Sequence, residues 1–175
     1  MPSVSKPASL AVVGAGDRGN AYARYALERP ERLRIVAVAE PDPVRRGRFA
    51  ALHGIPAAAV FPDWRALLDR PRLADGLLVA TRDEGHLEPT LAALDRGYRV
   101  LLEKPMALDE GSCRSIVDAS ARTGNEVVVC HVLRYASFWK AIRRALEEGL
   151  IGDLVSIEHA ENVSYFHMAH SYVRG

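Results

Sequence analysis

Cysteine is nearly missing from this chain: Cys113 and Cys130 are the only two among 175 residues. They have no CxxC spacing and no histidine cluster, which excludes a disulfide framework and a cysteine-built zinc site. A surplus of charge is missing too. Lys+Arg 23 against Asp+Glu 22 leaves +1, so no basic face points to nucleic acid or to an anionic membrane. Long apolar runs are also lacking. Residues 1–9 are polar and punctuated by proline, and Leu10–Val13 is too short for a signal core or a membrane span, so a cytoplasmic protein is expected. His167-Met168-Ala169-His170 has H-x-x-H spacing but no third ligand beside it, so no metal is expected. A small molecule is the partner these exclusions favour, and a homo-oligomer stays open.

What is present is ordinary for one good core, with 49% hydrophobic and 26% charged residues. Short aliphatic runs alternate with longer amphipathic stretches, as parallel strands and crossover helices do. Strands are predicted at Ser9–Val13, Leu33–Ala39, Gly76–Ala80, Arg99–Leu102 and Glu126–Cys130. Helices are predicted at Arg18–Leu27, Pro43–Leu52, Asp63–Leu68, Glu84–Arg96, Asp109–Arg122 and Phe138–Glu148, with Gly97, Gly124 and Gly149 where helices should stop. The expected fold is α/β: a doubly wound parallel sheet of the Rossmann type over residues 1–131, then a connecting helix and the start of a second α/β domain over 132–175. Gly152-Asp153 reads as a turn and Leu154–Val163 as a further strand.

The first strand runs directly into Gly14-Ala15-Gly16-Asp17-Arg18-Gly19 and then a helix. In a G-x-G-x-x-G turn the first glycine permits the tight turn, the second lets backbone approach a pyrophosphate, and the third allows close helix-strand packing. The helix start, with Asp17 and Arg18, offers N–H groups and a positive dipole end to phosphate. A lone glycine turn is weak testimony, but here a strand precedes it and Glu40 ends the next strand about 20 residues on, where a carboxylate meets ribose hydroxyls. Such a carboxylate accepts from a 2′-OH and repels a 2′-phosphate, which favours NAD over NADP. Arg45 and Arg46 follow closely and could hold a phosphate instead.

A second constellation lies at later strand ends: Ala80-Thr81 to His86, then Gly97-Tyr98-Arg99-Val100-Leu101-Leu102-Glu103-Lys104-Pro105. Together with Phe61-Pro62-Asp63-Trp64 and His131-Val132-Leu133-Arg134-Tyr135, these motifs resemble the Gfo/Idh/MocA oxidoreductases across residues 8–162. The resemblance implies a Rossmann domain joined to an open-faced α/β domain, with NAD or NADP between them and a sugar, cyclitol or related small molecule as substrate. It makes Lys104 the catalytic lysine beside the nicotinamide, partly buried and following Glu103, with a cis bond to Pro105. It places Glu103, Thr81, His86 and Arg134 around the cofactor. His131 stands where asparagine is commoner, and the Asp/His pair of the family's substrate domain is not found, so the chain is expected to stop short of its general base. A non-catalytic dinucleotide-binding module or sensor, and glycoside cleavage or elimination through transient oxidation, stay open as alternatives.

Overall fold

The computed structural model describes residues 6–169. Strand β1 (Ala8–Val13) shows how the sequence builds the sheet. Ala11 and Val13 point into one core and Val12 into another, all at 2% exposure or less. A strand buried on both faces reads as an unbroken aliphatic run, and β2 (Leu33–Ala39), β4 (Gly76–Val79) and β5 (Arg99–Leu102) follow the same rule. Fully burying one such leucine contributes about 1.5–3 kcal/mol, and Leu77 and Leu78 are both at 0%. With β3 (Val60–Phe61) and β6 (Val127–Val129) these strands make one parallel sheet in the order β3-β2-β1-β4-β5-β6.

Helices α1 (Asp17–Glu28) and α2 (Pro43–His53) cover the Val12 face through Ala23, Ala26, Phe49 and Ala50. The other face is covered by α3 (Trp64–Leu68), α4 (Leu87–Asp95) and α5 (Glu110–Thr123), through Leu67, Leu68, Ala93, Leu94, Ile116 and Ala119. Asp42, Asp63 and Asp109 each cap a helix start by accepting backbone N–H bonds. The doubly wound α/β fold expected from the alternation is therefore present. Its order changes direction at β1 and β4, so their carboxyl ends open a crevice there.

Two strands differ from the sequence expectation. Strand β3 was not foreseen, because two residues carry no period. The segment Leu154–Val163, expected as a strand, has no strand structure. A single strand gains stability only from a partner, and no strand occurs among the described residues after β6. Backbone packing divides the chain into a unit ending at Cys130 and another starting at His131. The second unit holds a 3₁₀ turn (Val132–Tyr135), α6 (Ser137–Glu147) and the single turn α7 (Tyr165–Met168). Among the described residues no helix is long and apolar enough to cross a membrane.

Candidate functional site

The glycine turn is shaped by what each glycine lacks. Gly14 has φ 95°, and a Cβ there would lie 2.5 Å from the Ala80 carbonyl oxygen; one on Gly19 would lie 2.0 Å from the Gly14 oxygen. Both positions are closed to side chains by the protein itself. A Cβ on Gly16, in contrast, meets nothing within 4 Å. Gly16 is the N-cap of α1 and no side chain caps the helix, so the first-turn N–H groups face the cleft without an internal cap. A turn of this shape can cradle an external anion.

The cleft it opens on has a volume of about 420 Å³, and its lining includes Gly14, Gly16, Asp17, Arg18, Glu40, Thr81, Arg45 and Trp64. Glu40 is 7% exposed and ties the cleft together. Its Oε2 accepts the Ala15 N–H at 2.8 Å and its Oε1 the Asp42 N–H at 3.0 Å. Two bonds leave an ionised carboxylate further lone pairs for sugar hydroxyls. Arg46, weighed as a phosphate ligand on sequence, instead donates to the carbonyls of Glu40 at 2.5 Å and Pro41 at 3.1 Å.

Across the sheet, the ends of β4 and β5 carry the second group. The Thr81 hydroxyl donates to the Gly85 carbonyl at 2.9 Å and closes its own loop. His86 is 0% exposed, with Nδ1 2.7 Å from the Pro105 carbonyl and Nε2 3.3 Å from that of Thr81. Its ring braces the two loops from behind and does not line the cleft. Glu103, 4% exposed, accepts from the Tyr22 hydroxyl at 3.0 Å and from the backbone N–H of Lys104, with Arg18 Nε 3.8 Å away. Burial above all, then the Cys130 thiol and the Glu103 carboxylate beside it, push the Tyr22 phenol up. Burial and the Glu103 charge likewise push the Cys130 thiol up, against a hydrogen bond with Tyr22. Both groups thus stay protonated around one buried carboxylate. The Lys104–Pro105 bond is cis, as expected. The Lys104 side chain is exposed and not partly buried, since Glu103 spends its contact on the lysine's backbone and leaves the ammonium free of it.

Residues 8–131 match the Gfo/Idh/MocA family model, described as an oxidoreductase family with an NAD-binding Rossmann fold. The chain belongs to the Gfo/Idh/MocA family. It is 34% identical over 145 residues to an inositol 2-dehydrogenase of Pseudomonas fluorescens, covering 82% of this chain and 43% of that protein. An inositol 2-dehydrogenase of Streptomyces avermitilis is 33% identical over 150 residues, covering 85% and 43%. Among solved structures, an inositol dehydrogenase homologue of Azotobacter vinelandii, complexed with NADH and myo-inositol, superposes with a TM-score of 0.75 at 25% identity, covering 85% of this chain and 41% of that one. The chain thus spans less than half the length of these relatives.

Most residues singled out by the Gfo/Idh/MocA motifs gather at the strand carboxyl ends of the first unit. Arg134 belongs to the second unit, where it is exposed and lines a hollow with Leu133, Trp139, Lys140, Arg143 and His159. His159 packs edge-on against Trp139 with ring centres 5.2 Å apart. His170 lies outside the described residues. Among the described residues no group of three or more His, Cys, Asp or Glu side chains gathers as a metal site. Sequence reasoning missed Tyr22. Its signal was present, since position 22 falls one turn after Gly19 and one before Ala26 on the buried face of α1.

Proposed function

We propose that this chain carries the NAD(H) site of an oxidoreductase that moves a hydride between nicotinamide and a hydroxyl-bearing carbon of a sugar, cyclitol or related polyol. The observation that carries the proposal is the cradle: positions 14 and 19 closed to any Cβ, position 16 open, and an uncapped helix start beyond it. Those are the requirements of a bound pyrophosphate. Gly14, Gly16, Gly19, Asp17 and Arg18 surround the phosphates, and Glu40 accepts from the adenosine ribose. Thr81 and Glu103 serve the remainder of the cofactor, and His86 acts through the loops it braces. Residues 1–131 form the dinucleotide-binding domain and 132–175 the connecting helix and opening of the substrate domain. The inositol dehydrogenase relatives support a cyclitol as the substrate class.

NAD⁺, when bound, supplies the hydride acceptor. Lys104 then has a defined task. Its exposed ammonium, on the turn after β5, hydrogen-bonds the reacting hydroxyl and stabilises negative charge developing on that oxygen. Calorimetric titration with NAD⁺ and NADH tests the proposal. Saturable one-site binding to both is expected, and a flat titration with both refutes it.

A further inference from the structure

The carboxylate of Glu103, 4% exposed just past the end of β5, holds the backbone N–H of Lys104. The Lys104 side chain makes no hydrogen bond or ion pair of its own among the described residues, so the backbone alone sets where its ammonium starts from. That backbone is tied on two sides. The Pro105 carbonyl bonds His86, and the Glu103 carboxylate bonds Tyr22 on α1. Arg18 also stands near Glu103 Oε1, but its Nε is 3.8 Å away and its side chain 54% exposed, so solvent screens its hold. Tyr22 is the firmer anchor. Its ring packs against the core that α1 and α2 share with the sheet, and its hydroxyl lies 3.0 Å from Oε1. Burial first, then the Cys130 thiol and the Glu103 carboxylate, push the phenol up, so it keeps its proton for this bond.

We propose that Tyr22 is a positioning residue for the hydride transfer proposed above: through Glu103 it fixes the backbone of Lys104, and with it the point from which the ammonium reaches the reacting hydroxyl. This rests on Lys104 being the group that meets that hydroxyl. A catalytic group displaced by about 1 Å can lose about 10² in rate. Without the phenol, Glu103 is held mainly by the group it is meant to hold, and the turn is free to shift on that scale.

Two measurements separate positioning from stability. Amide exchange at Lys104 in this chain reads the turn directly, and Tyr22→Phe should speed it about tenfold, since a hydrogen bond to a charged group is lost. Leu67→Val, a buried change on α3 where it packs against β2, β3 and α4, lowers stability elsewhere and should move that rate by about twofold at most. Replacing Tyr22 by para-aminophenylalanine, which puts an N–H donor where the O–H stood, should restore the rate to within about threefold of the parent. In the whole enzyme Tyr22→Phe should lower kcat for a cyclitol about tenfold with KM for NAD⁺ within about threefold, and the amino analogue should recover it. A Lys104 exchange rate that Tyr22→Phe leaves unmoved, or a fall in kcat that Leu67→Val reproduces, overturns the positioning role and leaves the NAD(H) proposal standing. Turnover that survives Lys104→Met would instead overturn the task of Lys104 and this inference with it.

Discussion

Gly16→Val and Gly14→Ala make a matched pair that separates binding from folding. At Gly16 the backbone has φ −74° and ψ −165°, which valine adopts, and its Cβ would meet nothing within 4 Å. The expected loss of stability is about 1 kcal/mol or less, from replacing a favoured N-cap residue. At Gly14 a φ of 95° is strained for alanine, and the added Cβ would sit 2.5 Å from a backbone oxygen. Backbone strain of about 1–2 kcal/mol plus the shift needed to relieve the contact gives about 3 kcal/mol. At about 3 °C per kcal/mol for a domain of this size, Gly14→Ala should melt about 9 °C lower and Gly16→Val within about 3 °C of the parent. Binding should rank the other way. The valine side chain fills the space beside the first-turn N–H groups, and losing charge-assisted bonds worth about 3 kcal/mol weakens NAD⁺ about a hundredfold. Differential scanning fluorimetry and calorimetry read the two effects. A Gly16→Val protein that binds NAD⁺ like the parent, or a Gly14→Ala protein that melts with it, would refute the reasoning.

Tyr22→Phe removes the hydroxyl donor to Glu103; thermal denaturation should show a loss of about 1–3 kcal/mol, and an unchanged melting point would contradict the role given to this bond. Lys104→Met in the whole enzyme should keep NAD⁺ binding while turnover of a cyclitol falls about 10²- to 10⁴-fold, so comparable turnover would remove the lysine from the chemistry. Burial holds the His53 imidazole below its ordinary range, and its Nε2 is buried with no hydrogen-bond partner among the described residues. The unfolded chain therefore takes up that proton first, so stability should decline as pH falls below about 6.5 and be retained above it. His53→Leu should flatten this acid limb in denaturant titrations at a series of pH values, and an unaltered limb would rule out His53 as its source.

How much could be read in advance depends on where each signal resides. Strands such as Leu77-Leu78-Val79, buried on both faces, leave an aliphatic run that no surface segment would carry. The glycine turn was equally legible, because Gly14 and Gly19 answer to steric limits that reach only a few ångströms. Val60-Phe61 was not, since its pairing with Val38-Ala39 depends on a neighbour already in place. The same dependence explains Leu154–Val163, whose composition suits a strand although no partner strand is present among the described residues. Site roles were legible in residue type and illegible in direction. His86 carries its motif, but only burial shows both ring nitrogens directed at carbonyls of neighbouring loops. Arg45 and Arg46 look alike in sequence, and the 100° step of the helix sends one to the cleft and the other back onto the β2 end.

The bond from Tyr22 to Glu103 joins the helix that starts at the glycine turn to the turn that bears Lys104. Both attachments are made by protein groups, so the span between the two stations is set before anything enters. The cleft thus works as a fixed gauge. A ligand that enters finds the helix start and the Lys104 turn already tied to one another, so none of its binding energy goes into making that link.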